Sequence, residues 1–466
     1  MYYTWRANIQ RGAAMSFIYR GKEIKSVGVF GLGRSNIGVI QYLREHFPKT
    51  VFTLRSDTEI KKEDAMRVTE FERILSRGEA LAKVEEDIIF LSPSAKRERF
   101  FGCGAMLSSD AEFFFENAKQ NIFAISGSDG KSTTTTLTSL MLMNSGIRNS
   151  CIGNVGEAMS PHTDEDFAAV VELSSFQLKY LDASFGRALV TNITPNHLDW
   201  HTTFDDYVQA KAKLLTKATE PIINVDDEVS ASFTSEVKPF AVFSTKKSEK
   251  ELLKLKSNLI GYIKDGFICV NGNKILDTGA IISESSYNIA NFLSAIILSY
   301  GYATEDGIYR TARSFSSLRH RCETVFEYNG ISYIDSSIDS TPQRCITTLN
   351  SLDRRVILII GGRTKKLDSS VLIPHIIKYA KALILTGESG GEVLELLRNT
   401  TEYTNANIPT SFIPNFENAV LFAVHNAQAG DTVLLSPAFT SYDSFKNFEE
   451  RGDRFKEIIK NYYRGC

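Results

Sequence analysis

The sequence predicts an α/β protein of three domains, built from parallel β-sheets and the helices that connect their strands. The 466 residues correspond to about three domains at ~150 residues each. Short apolar runs that end at Gly, Ser, Pro or Asn alternate with helical patterns along the chain, which is typical of buried parallel strands with crossover helices. We predict domains over residues 1–121, 122–312 and 313–466. The last begins where a helical segment gives way to a Ser-rich stretch.

Composition and charge exclude several classes of function. Lys plus Arg (53) nearly balances Asp plus Glu (55), for a net charge of −2, so the basic surface typical of nucleic-acid binding is absent. The mean hydropathy is −0.14, and no apolar run approaches the ~20 residues of a membrane span. The six cysteines are scattered, as expected for reduced thiols rather than disulfides or a cysteine zinc site. We predict a cytoplasmic protein that binds neither nucleic acid nor membranes.

The N-terminal segment is predicted to lie outside the first domain core. Residues 1–22 are basic but lack the apolar stretch that a secretory signal requires. We predict a disordered extension, with translation starting at Met1 or at Met15.

A glycine-rich turn follows the first predicted strand. The sequence Gly-Leu-Gly-Arg-Ser-Asn-Ile-Gly at 31–38 leads from an apolar run into a helical pattern, and a second strand at 50–54 ends at Arg55. This is a β-α-β arrangement with glycines placed for close approach to a phosphate. Asn36 replaces the third glycine of a dinucleotide fingerprint, and Arg55 stands where an acidic ribose ligand is expected, so NAD is disfavoured. A different nucleotide and a purely structural turn both remain open.

Strand-like segments recur through the rest of the chain. They lie at residues 87–91, 122–126, 168–171, 188–191, 221–224, 355–360, 382–385 and 432–435. Asp-Gly and Asn-Gly pairs within residues 262–274 predict small hairpins at the margin of the middle domain.

The sharpest motif is Gly-Ser-Asp-Gly-Lys-Ser at 127–132, between a predicted strand and a predicted helix. Backbone N–H groups in such a loop form an anion site together with the helix N-terminus. Lys131 supplies positive charge for the β- and γ-phosphates, and the Ser132 hydroxyl is placed to hold Mg²⁺. The alternative is a bare helix cap, but the strand-loop-helix context favours phosphate binding.

Three further residues stand near predicted strand ends or on the next helix. Glu172 ends a strand, where a carboxylate is able to contact Mg²⁺ beside a phosphate loop, although a solvated glutamate is the alternative. His197 follows another strand, at the edge where open α/β sheets bind ligands, and a surface histidine fits the spacing equally well. Lys211, taken alone, is typical of a solvated lysine on the surface of a helix.

Five motifs resemble those of the ATP-dependent Mur ligases. Four are the loop at 127–132, Glu-Leu-Ser-Ser-Phe-Gln-Leu at 172–178, Asn-Ile-Thr-Pro-Asn-His-Leu-Asp at 192–199 and Leu-Arg-His-Arg-Cys-Glu at 318–323. The fifth, at 436–453, contains Lys-Asn-Phe-Glu-Glu-Arg-Gly-Asp and is similar to the signature of the members that add D-glutamate. The resemblance implies a Rossmann-like N-terminal domain, a P-loop ATPase-like central domain and a Rossmann-like C-terminal domain.

The resemblance also implies roles for individual residues. The implied ATP contacts are Gly127, Ser128, Asp129, Gly130, Lys131, Ser132, Thr133, Asn288, Asn291, Arg321 and Asp335. The implied ligands of two Mg²⁺ ions are Ser132, Glu172, His197 and a carbamylated Lys211, and the implied catalytic residues are Lys131, His197 and Lys211. The implied contacts to UDP-N-acetylmuramoyl-L-alanine are Ser35, Asn36, Arg55, Asn154, Ser174 and Gln177, and those to D-glutamate are Lys365, Ser441 and Phe448.

The implied activity is ATP-dependent amide formation between these two substrates by a monomeric enzyme, through an acyl phosphate and a tetrahedral intermediate. Several positions depart from the family pattern. Ser128-Asp129 replaces the usual Thr-Asn pair and adds negative charge to the phosphate loop, and Tyr287 stands where the family usually has histidine. Ser337 and Asp339 replace a lysine and a threonine, and Gly-Gly-Arg-Thr-Lys-Lys at 361–366 is also non-standard. Two alternatives therefore stay open: a ligase of the same family that adds another amino acid, and a non-catalytic nucleotide-binding regulator.

Overall fold

The computed structural model describes residues 16–60, 62–66, 68–81, 84–198, 200–282, 286–315, 318–364 and 368–464. The chain folds into two compact units. The first extends to Ile281 and takes in Asn288–Arg313, and the second begins at Ser314 and includes Ile282–Tyr287. Parallel sheets with intervening helices confirm the predicted α/β class. The division into three domains stays a prediction.

A hairpin precedes the first parallel sheet. Strands β1 (Phe17–Tyr19) and β2 (Lys22–Ile24) pair antiparallel, and Phe17, Tyr19 and Ile24 are buried in the core of the first sheet. The prediction of a disordered extension was therefore wrong for residues 17–22, because alternating apolar side chains in this short segment pack against the domain. Residues 1–15 lie outside the described residues.

The first sheet has the strand order β5-β4-β3-β6-β7, with all pairs parallel. Its strands are β3 (Ser26–Phe30), β4 (Val51–Ser56), β5 (Arg73–Ser76), β6 (Ile88–Leu91) and β7 (Met106–Ser108). Its helices are α1 (Arg34–His46), α2 (Lys62–Met66) and α3 (Asp110–Asn117). The predicted β-α-β start is confirmed: α1 begins directly after the glycine-rich turn and connects β3 to its parallel neighbour β4.

The central sheet has the order β16-β15-β14-β13-β12-β11-β8-β10-β9. Its strands are β8 (Ile122–Ser126), β9 (Asn149–Gly153), β10 (Ala168–Glu172), β11 (Phe185–Val190), β12 (Ala218–Asn224), β13 (Ala241–Ser244), β14 (Leu259–Lys264), β15 (Phe267–Val270) and β16 (Asn273–Asp277). Its helices are α4 (Lys131–Asn144), α5 (Ser175–Tyr180), α6 (Phe204–Thr216), α7 (Glu228–Ser232), α8 (Glu249–Leu252), α9 (Ser286–Ser299) and α10 (Glu305–Ser314). The antiparallel pairs β14–β15 and β15–β16 are the hairpins predicted at 262–274.

The sheet of the second unit has the order β17-β18-β22-β19-β20-β21, parallel except for the β17–β18 pair. Its strands are β17 (Glu323–Tyr328), β18 (Ile331–Asp335), β19 (Val356–Gly361), β20 (Ala380–Thr386), β21 (Thr410–Phe412) and β22 (Thr432–Leu435). Its helices are α11 (Pro342–Leu352), α12 (Ile373–Tyr379), α13 (Gly390–Arg398), α14 (Thr401–Ala406), α15 (Phe416–Asn426) and α16 (Phe448–Arg464).

The strand order of the central sheet places the candidate site. β8 lies between β10 and β11, and the chain leaves β8 for edge strand β9 before it returns to both neighbours. Ligands bind at such a reversal point, outside the carboxyl ends of the strands. Among the described residues, every helix is too short or too polar to span a lipid bilayer.

Candidate active site

A glycine-rich loop connects β8 to α4 at the carboxyl edge of the central sheet. Gly127 has a φ of 146°, and a Cβ there would lie 1.8 Å from Thr191 Oγ1, so only glycine fits. Gly130 stands at the N-cap of α4 with a φ of 79°. The first N–H groups of the helix therefore face the loop without a capping side chain. This is the geometry in which backbone N–H groups and the helix dipole bind a phosphate.

The segment after β11 holds the loop in place. The N–H groups of Ser128 and Asp129 donate to Asn192, to its carbonyl at 2.8 Å and its side-chain oxygen at 2.9 Å respectively. Ser128 Oγ accepts from the Thr194 N–H at 2.9 Å. Lys131 is half-buried at the start of α4, and its Nζ donates to the Ser128 carbonyl at 2.8 Å. The loop N–H groups of Ser128 and Asp129 are thus engaged by Asn192, and the anion site is formed by the N–H groups at the uncapped start of α4, where Lys131 stands.

Glu172 lies at the carboxyl end of β10, in register with Ile125 of β8. Its side chain is buried, and Oε1 accepts from Asn154 Nδ2 at 2.6 Å. Oε2 is buried with no hydrogen-bond partner among the described residues. An unpaired buried carboxylate oxygen carries a large desolvation cost, which a bound cation removes. Carboxylate and hydroxyl oxygens such as those of Glu172 and Ser132 suit Mg²⁺, so the residues present fit that ion.

Lys211 points from α6 toward the phosphate loop, not to solvent. It is 1% exposed, and its Nζ donates to the Gly127 carbonyl at 2.7 Å and approaches Ser126 Oγ at 3.3 Å. Burial lowers the pKa of Lys211 well below its ordinary value, and the positive charge of Lys131 lowers it further. The pKa-raising effects of Glu172 and Asp129 are smaller. The solvated-lysine reading of this position was therefore wrong.

His197 lies in the exposed segment between β11 and α6. It has a φ of 54°, and its ring centroid lies 4.9 Å from that of Phe176, which follows Glu172 by four residues. His201, which we did not assign from the sequence, is buried nearby. Its Nδ1 lies 3.0 Å from Asp206 Oδ2 and its Nε2 lies 3.0 Å from Ser175 Oγ. This histidine ties the His197 segment to the N-termini of α5 and α6.

Five of the six residues implied for the sugar nucleotide fall in two places of the first unit. Ser35 is partly exposed in the first turn of α1. Asn36 is buried, and its Nδ2 donates to the carbonyls of Phe30 at 3.0 Å and Gly31 at 2.8 Å. Asn36 therefore holds the glycine-rich turn from inside, so its amide NH₂ is not presented to a ligand.

The second place is the carboxyl edge of β9 and β10. Asn154 is exposed after β9 and contacts Glu172. Ser174 and Gln177 form a capping box at the start of α5: the Ser174 N–H donates to Gln177 Oε1 at 2.9 Å, and Ser174 Oγ accepts from the Gln177 N–H at 3.3 Å. These side chains fix the start of α5, three residues after Glu172.

Arg55 is placed differently from the expected diphosphate ligand. Its side chain is fully buried in the first sheet, and Nε and Nη2 each donate to one Glu86 carboxylate oxygen at 2.9 Å. Nη1 donates to the Ala80 carbonyl at 3.2 Å. The structure corrects the expectation of an accessible guanidinium here, because a partner 31 residues further along the chain holds it in the core.

Replacing Glu86 with glutamine should destabilise the protein by about 3–5 kcal/mol, because Arg55 then keeps a buried charge without its counter-ion. Burial raises the pKa of Glu86, but Arg55 hydrogen bonding and charge lower it below the ordinary value overall. This stability contribution is therefore present above the unfolded pKa of ~4.3 and is lost as pH falls through the lower folded pKa. Urea unfolding of the wild type and E86Q from pH 7 downward measures both effects.

The matched control is E85Q, since Glu85 is exposed and pairs with Arg73 at the surface. We expect E85Q to change the free energy of unfolding by under about 1 kcal/mol. Equal losses from E85Q and E86Q would contradict the buried-pair interpretation.

The implied adenine-side residues lie on α9, against α4. Asn291 is buried, and its Oδ1 accepts a long hydrogen bond of 3.5 Å from Thr134 Oγ1. Its Nδ2 is buried without a partner among the described residues. Asn288 lies one turn earlier on the same helix, and Thr133 is buried in the first turn of α4. An unsatisfied amide donor beside α4 fits an acceptor on a bound base.

In the second unit, Asp335 ends β18 and is buried. Its Oδ2 lies 2.7 Å from His320 Nδ1. Arg321, the next residue after His320, is half-buried. Asp339 is also buried, and its Oδ2 accepts from Ser436 Oγ at 2.8 Å. Burial raises the pKa of Asp339. Its carboxyl group is therefore engaged inside the unit.

The implied D-glutamate contacts Ser441 and Phe448 follow β22 in the same unit. Ser441 is buried, and the Phe448 carbonyl accepts from Ser337 Oγ at 2.8 Å. Arg451, which we did not assign from the sequence, is buried and donates through Nε to Ser337 Oγ at 3.0 Å and through Nη2 to its carbonyl at 2.9 Å. An arginine from α16 thus brings positive charge to the position where the family carries a lysine. Lys365 lies outside the described residues.

The fold and the phosphate loop define a nucleotide-using α/β enzyme, and comparison with known proteins narrows the class. The Mur ligase middle domain matches residues 125–299, and the Mur ligase glutamate ligase domain matches residues 320–439. A UDP-N-acetylmuramoylalanine--D-glutamate ligase of Clostridium perfringens is 34% identical over 94% of this chain and 97% of its own. A ligase of the same name from Acetivibrio thermocellus is 35% identical over 94% of this chain and 96% of its own.

Solved structures show the same fold. The UDP-N-acetylmuramate-alanine ligase of Thermotoga maritima aligns with a TM-score of 0.61 at 16% identity, over 95% of this chain and 100% of its own. A pseudomurein peptide ligase type C from Methanothermus fervidus aligns with a TM-score of 0.56 at 15% identity, over 94% and 100%. The chain belongs to the Mur ligase family, as the motifs indicated. It is an ATP-dependent ligase of peptidoglycan precursor synthesis that forms an amide bond.

Proposed function

We propose that this ligase joins D-glutamate to UDP-N-acetylmuramoyl-L-alanine and releases ADP and phosphate. The names of relatives that are 33–35% identical over 94–96% of the chain support this substrate pair. The observation that carries the chemistry is the buried Glu172 Oε2, which has no partner among the described residues and lies at the end of the strand beside the phosphate loop.

In the proposed reaction, the L-alanyl carboxylate attacks the γ-phosphorus of ATP. The bond from that phosphorus to the β,γ-bridging oxygen breaks, so an acyl phosphate forms and ADP leaves. The amine of D-glutamate then attacks the acyl carbon, loses a proton, and phosphate leaves the tetrahedral intermediate as the amide forms. Both steps bring anions together, so the barrier is lowered chiefly by positioning and by neutralising charge. Lys131 and the N–H groups at the start of α4 neutralise the phosphates.

Mg²⁺ would be held by Ser132, Glu172 and His197, with Lys211 contributing as a carbamate. The ion would supply further charge neutralisation at the phosphates when bound. The neutral amine favoured at Lys211 by burial is the form that attacks CO₂. The nitrogen–carbon bond forms, one carbon–oxygen π bond of CO₂ breaks, a proton leaves the nitrogen, and a carboxylate-like anion replaces the neutral amine. No nucleophilic side chain is required.

We further assign Ser35 in the first unit and Ser441 and Phe448 in the second to substrate contacts. Asn154, Ser174 and Gln177 fix the sugar-facing edge of the central sheet. Monomeric state and cytoplasmic location stay predictions.

Phosphate release from ATP tests the proposal directly. We expect release only when UDP-N-acetylmuramoyl-L-alanine and D-glutamate are both present, with L-glutamate, L-lysine and diaminopimelate as matched amino-acid controls. Release with a different amino acid would assign another specificity within the family. Nucleotide binding with no release under any combination would support the non-catalytic regulator and contradict the proposal.

A further inference from the structure

Arg34 connects the first sheet to the central sheet of the same unit, beside the candidate site. Arg34 is the first residue of α1, directly after the glycine-rich turn of the first sheet. Its guanidinium donates through Nη2 to the Asn154 carbonyl at 2.7 Å and through Nη1 to the Gly156 carbonyl at 2.8 Å. Both carbonyls belong to the loop that follows β9 of the central sheet. Charged donors of this kind form the stronger class of hydrogen bond.

Asn154, whose carbonyl Arg34 binds, in turn binds Glu172, the candidate metal ligand. The Asn154 N–H donates to the Glu172 carbonyl at 2.9 Å, and Asn154 Nδ2 donates to Glu172 Oε1 at 2.6 Å. Asn154 thus fixes both the main chain and one carboxylate oxygen of Glu172, which leaves Oε2 for a cation. A displacement of Asn154 would move that oxygen.

The loop itself has little freedom to absorb such a displacement. Gly153 has a φ of 106°, and a Cβ there would lie 2.3 Å from the Glu172 carbonyl oxygen. Gly156 has a φ of 72°, and its Cβ would lie 2.0 Å from the Cys151 carbonyl oxygen. The Gly153 N–H closes the loop by donating to the Glu157 carbonyl at 2.8 Å. Tight closure makes the loop move as one piece.

Two further side chains anchor the chain just after this loop. Asp110, the first residue of α3, is fully buried and accepts from the N–H groups of Met159 at 3.0 Å and Ser160 at 2.8 Å. Tyr42 of α1 donates to Asp164 Oδ2 at 2.9 Å. The loop is therefore fixed on its far side, and Arg34 controls its near side, next to the N-terminus of α1.

We propose that Arg34 is a positioning residue that couples the sugar-nucleotide site at the start of α1 to the Glu172 carboxylate. This inference rests on the proposed function. A nucleoside diphosphate bound at the N-terminus of α1 adds contacts to the turn that precedes Arg34 and so favours the observed conformation of this turn. Arg34 then holds Asn154, and Asn154 holds Glu172 in the orientation that receives the cation of MgATP. Each ligand should consequently tighten the binding of the other by the same factor.

Calorimetric titration tests this coupling without turnover. UDP-N-acetylmuramoyl-L-alanine and the magnesium complex of a non-hydrolysable ATP analogue are each titrated alone and in the presence of the other. We expect the wild type to bind each ligand at least about fivefold more tightly with the other present. In R34M this factor should fall to about one, while the Kd of the sugar nucleotide alone changes less than about threefold. R34K should keep an intermediate factor, because lysine retains the charge but not the two-pronged geometry.

R73M is the matched control, since Arg73 is an exposed arginine of the same sheet that pairs with Glu85. It should couple like the wild type. Coupling in R34M equal to the wild type would overturn the inference, and so would a wild type that binds both ligands without coupling. Loss of sugar-nucleotide binding by R34M in the absence of MgATP analogue would instead make Arg34 a direct ligand. Failure of the wild type to bind UDP-N-acetylmuramoyl-L-alanine at all would overturn the proposed function itself.

Discussion

Replacing Lys131 with alanine should lower substrate-dependent phosphate release by about a thousandfold, the upper end of the range for loss of one preorganised charge-stabilising group. The lysine stands at the start of α4 with Nζ 2.8 Å from the Ser128 carbonyl, above N–H groups that no capping side chain occupies. Without it, those dipoles alone face the triphosphate and the incoming carboxylate. Stability should change by less than about 1 kcal/mol, because a half-buried cation is removed without opening the core.

Steady-state phosphate release and urea unfolding of K131A measure the two effects separately. K119A is the matched control, because Lys119 is an exposed lysine shortly before β8, and its activity should stay within about twofold of the wild type. Near-normal ligation by K131A would refute the assigned role. Loss of activity accompanied by unfolding would contradict the expected separation of function from stability.

Lys211 should require CO₂ to support catalysis. Its Nζ is buried against the Gly127 carbonyl, and burial together with Lys131 lowers its pKa well below the ordinary value. The fraction of neutral amine at pH 7 therefore rises, and only that form reacts with CO₂. We expect CO₂-depleted enzyme to lose most of its phosphate release and to recover it with bicarbonate. K211M should lose about a hundredfold or more whether or not bicarbonate is present.

Labelling separates a carbamate from an indirect effect of bicarbonate. Wild-type protein equilibrated with ¹³C-bicarbonate should show one carbamate resonance that is absent from K211M. The comparison lysine is Lys213, on the same helix and only partly buried, and K213M should retain the resonance. Full activity of a sample that shows only unmodified Lys211 would count against the prediction.

Much of the fold was readable from the sequence because parallel strands are short, continuous apolar runs. The strands predicted at 122–126 and 432–435 coincide with β8 and β22, and those at 168–171 and 382–385 lie within β10 and β20. Strand β9 was not predicted, because it begins with Asn149 and Ser150 and lies at the edge of its sheet. Edge strands carry polar residues that a search for apolar runs passes over.

Local sequence predicted the phosphate loop but not the long-range partners around it. The six-residue motif at 127–132 is enough to predict that Gly127 and Gly130 adopt backbone conformations with positive φ, as they do. Arg55 gives no local indication that Glu86 pairs with it inside the core. Lys211 likewise reads as a surface residue until the fold brings its Nζ to Gly127, 84 positions away. Such contacts depend on strand order, which single-sequence patterns leave undetermined.

The way the chain passes between the two units has a consequence for synthesis on the ribosome. The last strand of the central sheet, β16, ends at Asp277. Helices α9 and α10 come later in the chain but still belong to the first unit over Asn288–Arg313. Phe292 and Ile296 of α9 are fully buried, and Asn144 of α4 donates to Thr311 Oγ1 at 3.0 Å. The central sheet thus completes its covering only after residue 313 has emerged from the exit tunnel. A nascent or recombinant fragment that ends at residue 281 would expose the apolar face that α9 and α10 cover. A fragment extended to residue 313 would contain these helices and bury that face.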